Sequence, residues 1–107
     1  MPISSLPSPY GIGTLGKTAY EWIDFLKEAG QSWWQILPLG PTSYGDSPYQ
    51  SFSSAAGNPY LIDLDMLINE GLLEKSDVEK INWGQNPEKV DYGAIYNSRF
   101  AVLHKAY

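Results

Sequence analysis

Cysteine is absent from this chain of 107 residues, and histidine occurs once, at His104. The first absence excludes disulfides and thiolate metal sites. A single imidazole between Leu103 and Lys105 cannot build a metal site alone, and its helical setting reads as a solvated position. No metal and no organic cofactor is expected, and no Ser-His-Asp set can be drawn. Positive charge is also scarce: seven Lys and Arg stand against twelve Asp and Glu, a net charge of −5. A nucleic-acid partner would want a basic patch, so none is expected. No apolar run approaches the roughly 20 residues of a membrane helix. Met1 is followed by Pro and Ser without the basic start and apolar stretch of a signal peptide. The expectation is a soluble, cytoplasmic protein with no membrane partner.

What the chain has instead is aromatic surface. Aromatics make up 14% of it, with four Trp and eight Tyr. Such rings dominate core energetics, and those of Tyr and Trp also carry a hydrogen-bonding tip. A sugar offers a flat C–H face and a rim of hydroxyls, so the composition suits carbohydrate binding as well as a core. With 43% hydrophobic and 18% charged residues, the chain falls in the globular range.

Along the chain, Pro2 to Gly16 is a loop rich in Pro, Ser and Gly. A first helical unit follows over 16–30. Its helix runs from about Lys17 to Ala29, with Ala19, Trp22, Ile23, Leu26 and Ala29 on one face. Thr14 is a candidate N-cap and Gly30 a left-handed C-cap. A buried strand is predicted over 32–39, because Ser32-Trp33-Trp34-Gln35-Ile36-Leu37 is short, bulky and nearly all apolar. Trp33 and Trp34 read as core, and Pro38 and Pro41 end the run. A loop over 40–58 then carries two Tyr, an Asp and several hydroxyls, a useful set for a polyol. Long loops of this kind tend to be functional.

A helical segment covers 59–107. A short helix is expected at about 65–70, capped by Asp63 or Asp65 and stopped by Gly71. Ser76-Asp77-Val78-Glu79 has the form of a capping box. The last helix runs from about Tyr92, capped by Asp91, with Tyr96, Phe100, Leu103 and Tyr107 as its apolar stripe and Ile95 and Val102 beside it. The helix-then-strand order makes the fold class α/β. The predicted strand has no partner in the chain, so its ladder must be completed from elsewhere.

Two chemical readings fail on context. Gly11-Ile12-Gly13-Thr14-Leu15-Gly16 spells a dinucleotide fingerprint, but Pro7-Ser8-Pro9-Tyr10 before it is no strand. Glycosidic chemistry needs two carboxylates about 5–5.5 Å apart for retention. Asp46 lies in the long loop, Asp63 and Asp65 read as caps, and no convincing pair exists.

Four stretches carry a resemblance. They are Ser4-Ser5-Leu6-Pro7-Ser8-Pro9-Tyr10-Gly11-Ile12-Gly13, Gln35-Ile36-Leu37-Pro38-Leu39-Gly40-Pro41-Thr42, Tyr44-Gly45-Asp46-Ser47-Pro48-Tyr49-Gln50-Ser51-Phe52-Ser53 and Ala56-Gly57-Asn58-Pro59-Tyr60-Leu61-Ile62-Asp63. Together they resemble the opening of the 4-alpha-glucanotransferases, or amylomaltases. The resemblance implies a (β/α)8 barrel, of which this chain would hold only the first β/α units, since such a barrel needs about 250 residues. It implies retaining transfer of a 1,4-alpha-glucan segment to glucose or another glucan. The nucleophile and the acid/base would lie downstream, so no catalytic residue is expected here.

The same resemblance marks Tyr49 as the tyrosine that packs on the sugar at the cleavage subsite. Ser47 and Asp46 become candidate partners of sugar hydroxyls, or else turn-formers. Gln50 becomes a loop-orienting or substrate-binding residue, and Tyr44 a tyrosine of a second glucan site. The expected partners are alpha-1,4-glucans and the rest of the protein's own chain, without which these residues should fold poorly. A non-catalytic glucan-binding module and a truncated remnant are the alternatives.

Overall fold

The computed structural model describes residues 1–107 apart from Ser43, Tyr44, Pro48, Phe52, Ser54 and Pro87. Its regular elements are all helical. A 3-10 turn at Ile3–Ser5 opens the chain, α1 spans Lys17–Glu28, and a second 3-10 turn lies at Pro59–Leu61. Then come α2 (Leu64–Asn69), α3 (Lys75–Glu79) and α4 (Tyr92–Ala106).

The strand expected over 32–39 is not formed: among the described residues there is no strand. Nor is the segment buried. Trp33 is 91% exposed, and Ile36 and Leu39 also face solvent. The physical reason is the one that made the prediction conditional. A strand needs a neighbouring strand for its N–H and C=O groups and layers on both faces. Here the Leu39 carbonyl accepts from Asn58 and Trp34 packs on the smaller cluster at Ile3, Leu6 and Ala19, but no strand runs alongside among the described residues.

The core is built from the opening loop and the C-terminal helices. Tyr10, Ile12, Tyr60, Leu64, Leu73, Val78, Trp83, Ile95 and Val102 form one buried cluster. The Trp83 indole N–H donates to the Val78 carbonyl at 3.1 Å, and its ring meets Tyr10 edge-on at 5.9 Å. A smaller cluster of Ile3, Leu6 and Ala19 seats α1. The opening loop folds back on itself, with the Gly13 N–H donating to Ser4 at 3.0 Å. A Cβ at Gly13 would lie 2.0 Å from the Ile3 carbonyl oxygen, so only glycine fits that crossing.

Several local expectations shift. Gly16, not Thr14, is the N-cap of α1. Thr14 is buried and donates to Asp63 at 2.6 Å, so its hydroxyl ties the loop to α2 instead. Asp63 caps α2 by accepting the Met66 N–H at 3.0 Å, while Asp65 accepts the Tyr10 hydroxyl at 2.5 Å. The capping arrangement of α3 sits before Ser76: the Glu74 N–H donates to Asp77 at 3.0 Å. Asp91 caps α4 as expected, accepting the Ala94 N–H at 3.0 Å.

On α1 only Ala19 of the expected face is buried; Trp22 and Leu26 are half-buried, and Ile23 and Ala29 are exposed. On α4 the buried stripe is Ile95, Arg99 and Val102. Tyr96, Phe100 and Tyr107 of the expected stripe are exposed. His104 is exposed, as its sequence setting suggested.

Candidate functional site

The loop over 40–58 is closed at its base, where the Asn58 N–H donates to the Leu39 carbonyl at 2.7 Å. Inside it Gly45 and Asp46 both take the left-handed region, with φ of 93° and 58°. Glycine does so freely, and Asp is among the few side chains that tolerate it. Ser47 forms the next turn: its carbonyl accepts the Gln50 N–H at 3.1 Å, and its hydroxyl accepts the Tyr49 N–H at 3.3 Å.

These turns divide the loop between two adjoining clefts. The larger, about 1100 Å³, runs between the loop and α4. Asp46, Thr42 and Asn58 line one side; Tyr60, Tyr92, Tyr96, Asn97 and Phe100 line the other. Its aromatic floor is continuous. Tyr60 lies 6.1 Å from Tyr92 and 5.7 Å from Phe100, and Phe100 meets Tyr96 edge-on at 5.7 Å. The phenols of Tyr60 and Tyr92 are both held above the ordinary tyrosine range, first by burial and then by the Asp46 charge. Both therefore stay neutral hydrogen-bond donors at physiological pH, facing a carboxylate across the cleft mouth.

The smaller cleft, about 490 Å³, is lined by Pro38, Leu39, Gly40, Tyr49, Ser51 and Ser53 and shares Ala56 and Gly57 with the larger one. Tyr49 stands 74% exposed beside it.

Of the residues singled out from the sequence, Asp46 enters the large cleft and Tyr49 the small one. Ser47 is half-buried in the turn between them and Gln50 is exposed. Tyr44 lies outside the described residues. The sequence reading missed the opposite wall. Tyr96 and Phe100 belong to the apolar stripe read from the sequence, with Tyr92 only at the helix start, and aromatics at that spacing on a helix read as core.

No group of three or more His, Cys, Asp and Glu with metal-binding geometry occurs among the described residues. No helix among them is long and apolar enough to cross a membrane.

Comparison with known proteins places this geometry. The family described as 4-alpha-glucanotransferase matches residues 1–107. The 4-alpha-glucanotransferase of Clostridium butyricum is 64% identical over 107 residues, covering 100% of this chain and 22% of its own length. That of Thermus thermophilus is 52% identical over 104 residues, covering 97% of this chain and 20% of its own length. A solved structure of amylomaltase from Streptococcus agalactiae in complex with acarbose superposes with a TM-score of 0.95 at 56% identity, over 99% of this chain and 21% of that one. The backbone of this chain is thus similar to that of about a fifth of that amylomaltase. With a family match along its whole length, the chain belongs to the 4-alpha-glucanotransferases, and it spans about a fifth of the relatives it matches.

Proposed function

We propose that this chain is the N-terminal part of a retaining 4-alpha-glucanotransferase and forms one wall of its donor site. The observation that carries the reading is the aromatic floor of Tyr60, Tyr92, Tyr96 and Phe100 beneath a rim that includes Asp46, Asn58 and Asn97. Flat rings cover the C–H faces of successive glucose units, while the rim exchanges hydrogen bonds with their hydroxyls. The relative solved with acarbose supports a substrate of the alpha-glucan class.

In this reading Tyr49 packs on the sugar at the scissile bond and excludes water from it. Ser47 shapes the turn that presents Tyr49 and offers its hydroxyl to substrate. Asp46 accepts from sugar hydroxyls at the mouth of the large cleft. Gln50 orients the loop, and Tyr44 adds to a second glucan site. The reaction is a double displacement. A carboxylate attacks the anomeric carbon while an acid gives its proton to the departing glycosidic oxygen. The acceptor hydroxyl then attacks the glycosyl-enzyme as the conjugate base takes its proton. Both carboxylates come from the four-fifths of the protein outside these residues. The same remainder would supply the strands that pair with 32–39, making this chain the first β/α units of a (β/α)8 barrel; the exposure of Trp33 and Ile36 supports that need.

Glucose release from maltotriose tests the reading. The intact protein should release it and the 107 residues alone should not. Clear activity in the short chain would end the proposal that its catalytic carboxylates lie elsewhere. In the intact enzyme, Tyr49→Ala should lower kcat/KM by about 10²-fold, as misplacing a reacting sugar does. Unchanged kinetics would take Tyr49 out of the site. The large cleft is built wholly from these residues, which favours a second reading, glucan binding without catalysis. Retention of the short chain on an amylose column would support it.

A further inference from the structure

We infer that Arg99 is a positioning residue for the aromatic cleft: through the Ile62 carbonyl it holds α4 against the turn that carries Tyr60, and so sets how tightly a glucan is held. The inference rests on the cleft being the glucan site proposed above.

Arg99 has 0% exposure and heads the largest fully buried side chains. Its Nη2 donates to the Ile62 carbonyl, while Nε and Nη1 find no partner among the described residues. Burial lowers its pKa to about 10, with the Asp63 carboxylate opposing the shift, so the group is still cationic at neutral pH. This is a poor arrangement for stability alone. A guanidinium brings five donors, and one finds an acceptor here. An apolar side chain of like volume usually stabilises such a site as well or better.

What an apolar side chain cannot do is donate to Ile62. That residue closes the 3-10 turn Pro59–Leu61, in which Tyr60 is buried against Tyr92 and Phe100 of α4. The next residue, Asp63, caps α2 and accepts from Thr14. Ring contacts are forgiving of a slide along the helix, whereas a charged hydrogen bond fixes distance and angle. Arg99 therefore sets the register between the two sides of the aromatic floor without touching the cleft itself.

The test uses the intact enzyme with maltoheptaose as donor and three variants, Arg99→Met, Arg99→Lys and Tyr96→Ala. For Arg99→Met we expect a melting temperature at or above the parent's. KM should rise about five- to tenfold while kcat stays within about twofold, the pattern of lost uniform binding. Arg99→Lys keeps a donor for the carbonyl and should bring KM back to within about twofold of the parent. An unchanged KM in folded Arg99→Met overturns the inference. So does an Arg99→Met protein that cannot be recovered folded, which would make Arg99 a stability residue only. Tyr96→Ala separates the premises. If it leaves KM unchanged, the cleft reading itself falls. If it raises KM while Arg99→Met does not, the Arg99 inference fails alone.

Discussion

Two regions of this molecule are held together by different means. The opening loop and the segment from Pro59 to Ala106 enclose a shared core in which Leu64 and Ile95 reach 0% exposure. From α1 through the loop that ends at Asn58 the side chains are just as apolar, yet Ile23, Phe25, Trp33 and Ile36 face solvent. Hydrophobicity therefore does not distinguish the two regions; partners do. The first region finds them within these residues, through contacts that link Tyr10 with Asp65, Thr14 with Asp63 and Arg99 with Ile62. The second has a small anchor at Ile3, Leu6 and Ala19.

That contrast can be broken most directly at Trp33. If the remainder of the protein buries the 32–39 segment, Trp33→Ala in the intact protein should cost about 3–5 kcal/mol, as large core truncations do. A measured change within about 0.5 kcal/mol, normal for a surface position, would show that the segment is exposed there too. In the packed region, Leu64→Ala should cost about 2–5 kcal/mol in denaturant unfolding whatever the rest of the chain does. A loss well below that would mean the C-terminal helices are not the organising core.

A smaller effect is expected at the edge of the packed region, where Asp63 lies against Gly16, the N-cap of α1. Asp63→Ala removes the cap of α2 and the acceptor of Thr14, and should cost about 1–2 kcal/mol. Hydrogen exchange should then quicken in both α1 and α2; quickening in α2 alone would dissociate the two regions.

The smallest effect is alkaline. Burial, with the hydrogen bond to Asp65 and its charge, holds the Tyr10 phenol well above its ordinary range. The unfolded chain then loses that proton first, so stability is full below the unfolded pKa of about 10 and falls as pH rises beyond it. Tyr10→Phe should flatten this part of the melting temperature profile. An identical slope in parent and variant would show that Tyr10 does not titrate differently on folding.

Much of the local structure was legible. Asp91 caps α4 as expected, Asp63 rather than Asp65 is the cap of α2, and Gly30 and Gly71 take positive φ, 78° and 80°, beyond α1 and α2. The family resemblance rested on motifs that are also local. The face of α4 was harder. Tyr96 and Phe100 satisfy the helical period as well as Ile95 and Val102 do, and Arg99 falls in the buried stripe where a pattern of apolar letters cannot place it. Among the candidate site residues, Asp46 and Tyr49 line clefts, but only the fold shows that these are two clefts with a common wall.

The sequence by itself determined which stretches turn, where helices begin and end, and which family the chain joins. Those features depend on a side chain and backbone groups a few residues away, or on short motifs read in order. Only the tertiary structure decided which aromatics line a cleft, which charge is buried, and that 32–39 forms no strand among the described residues. Those outcomes depend on what lies opposite in space: Tyr60 and Phe100 are forty residues apart in the chain and 5.7 Å apart as rings.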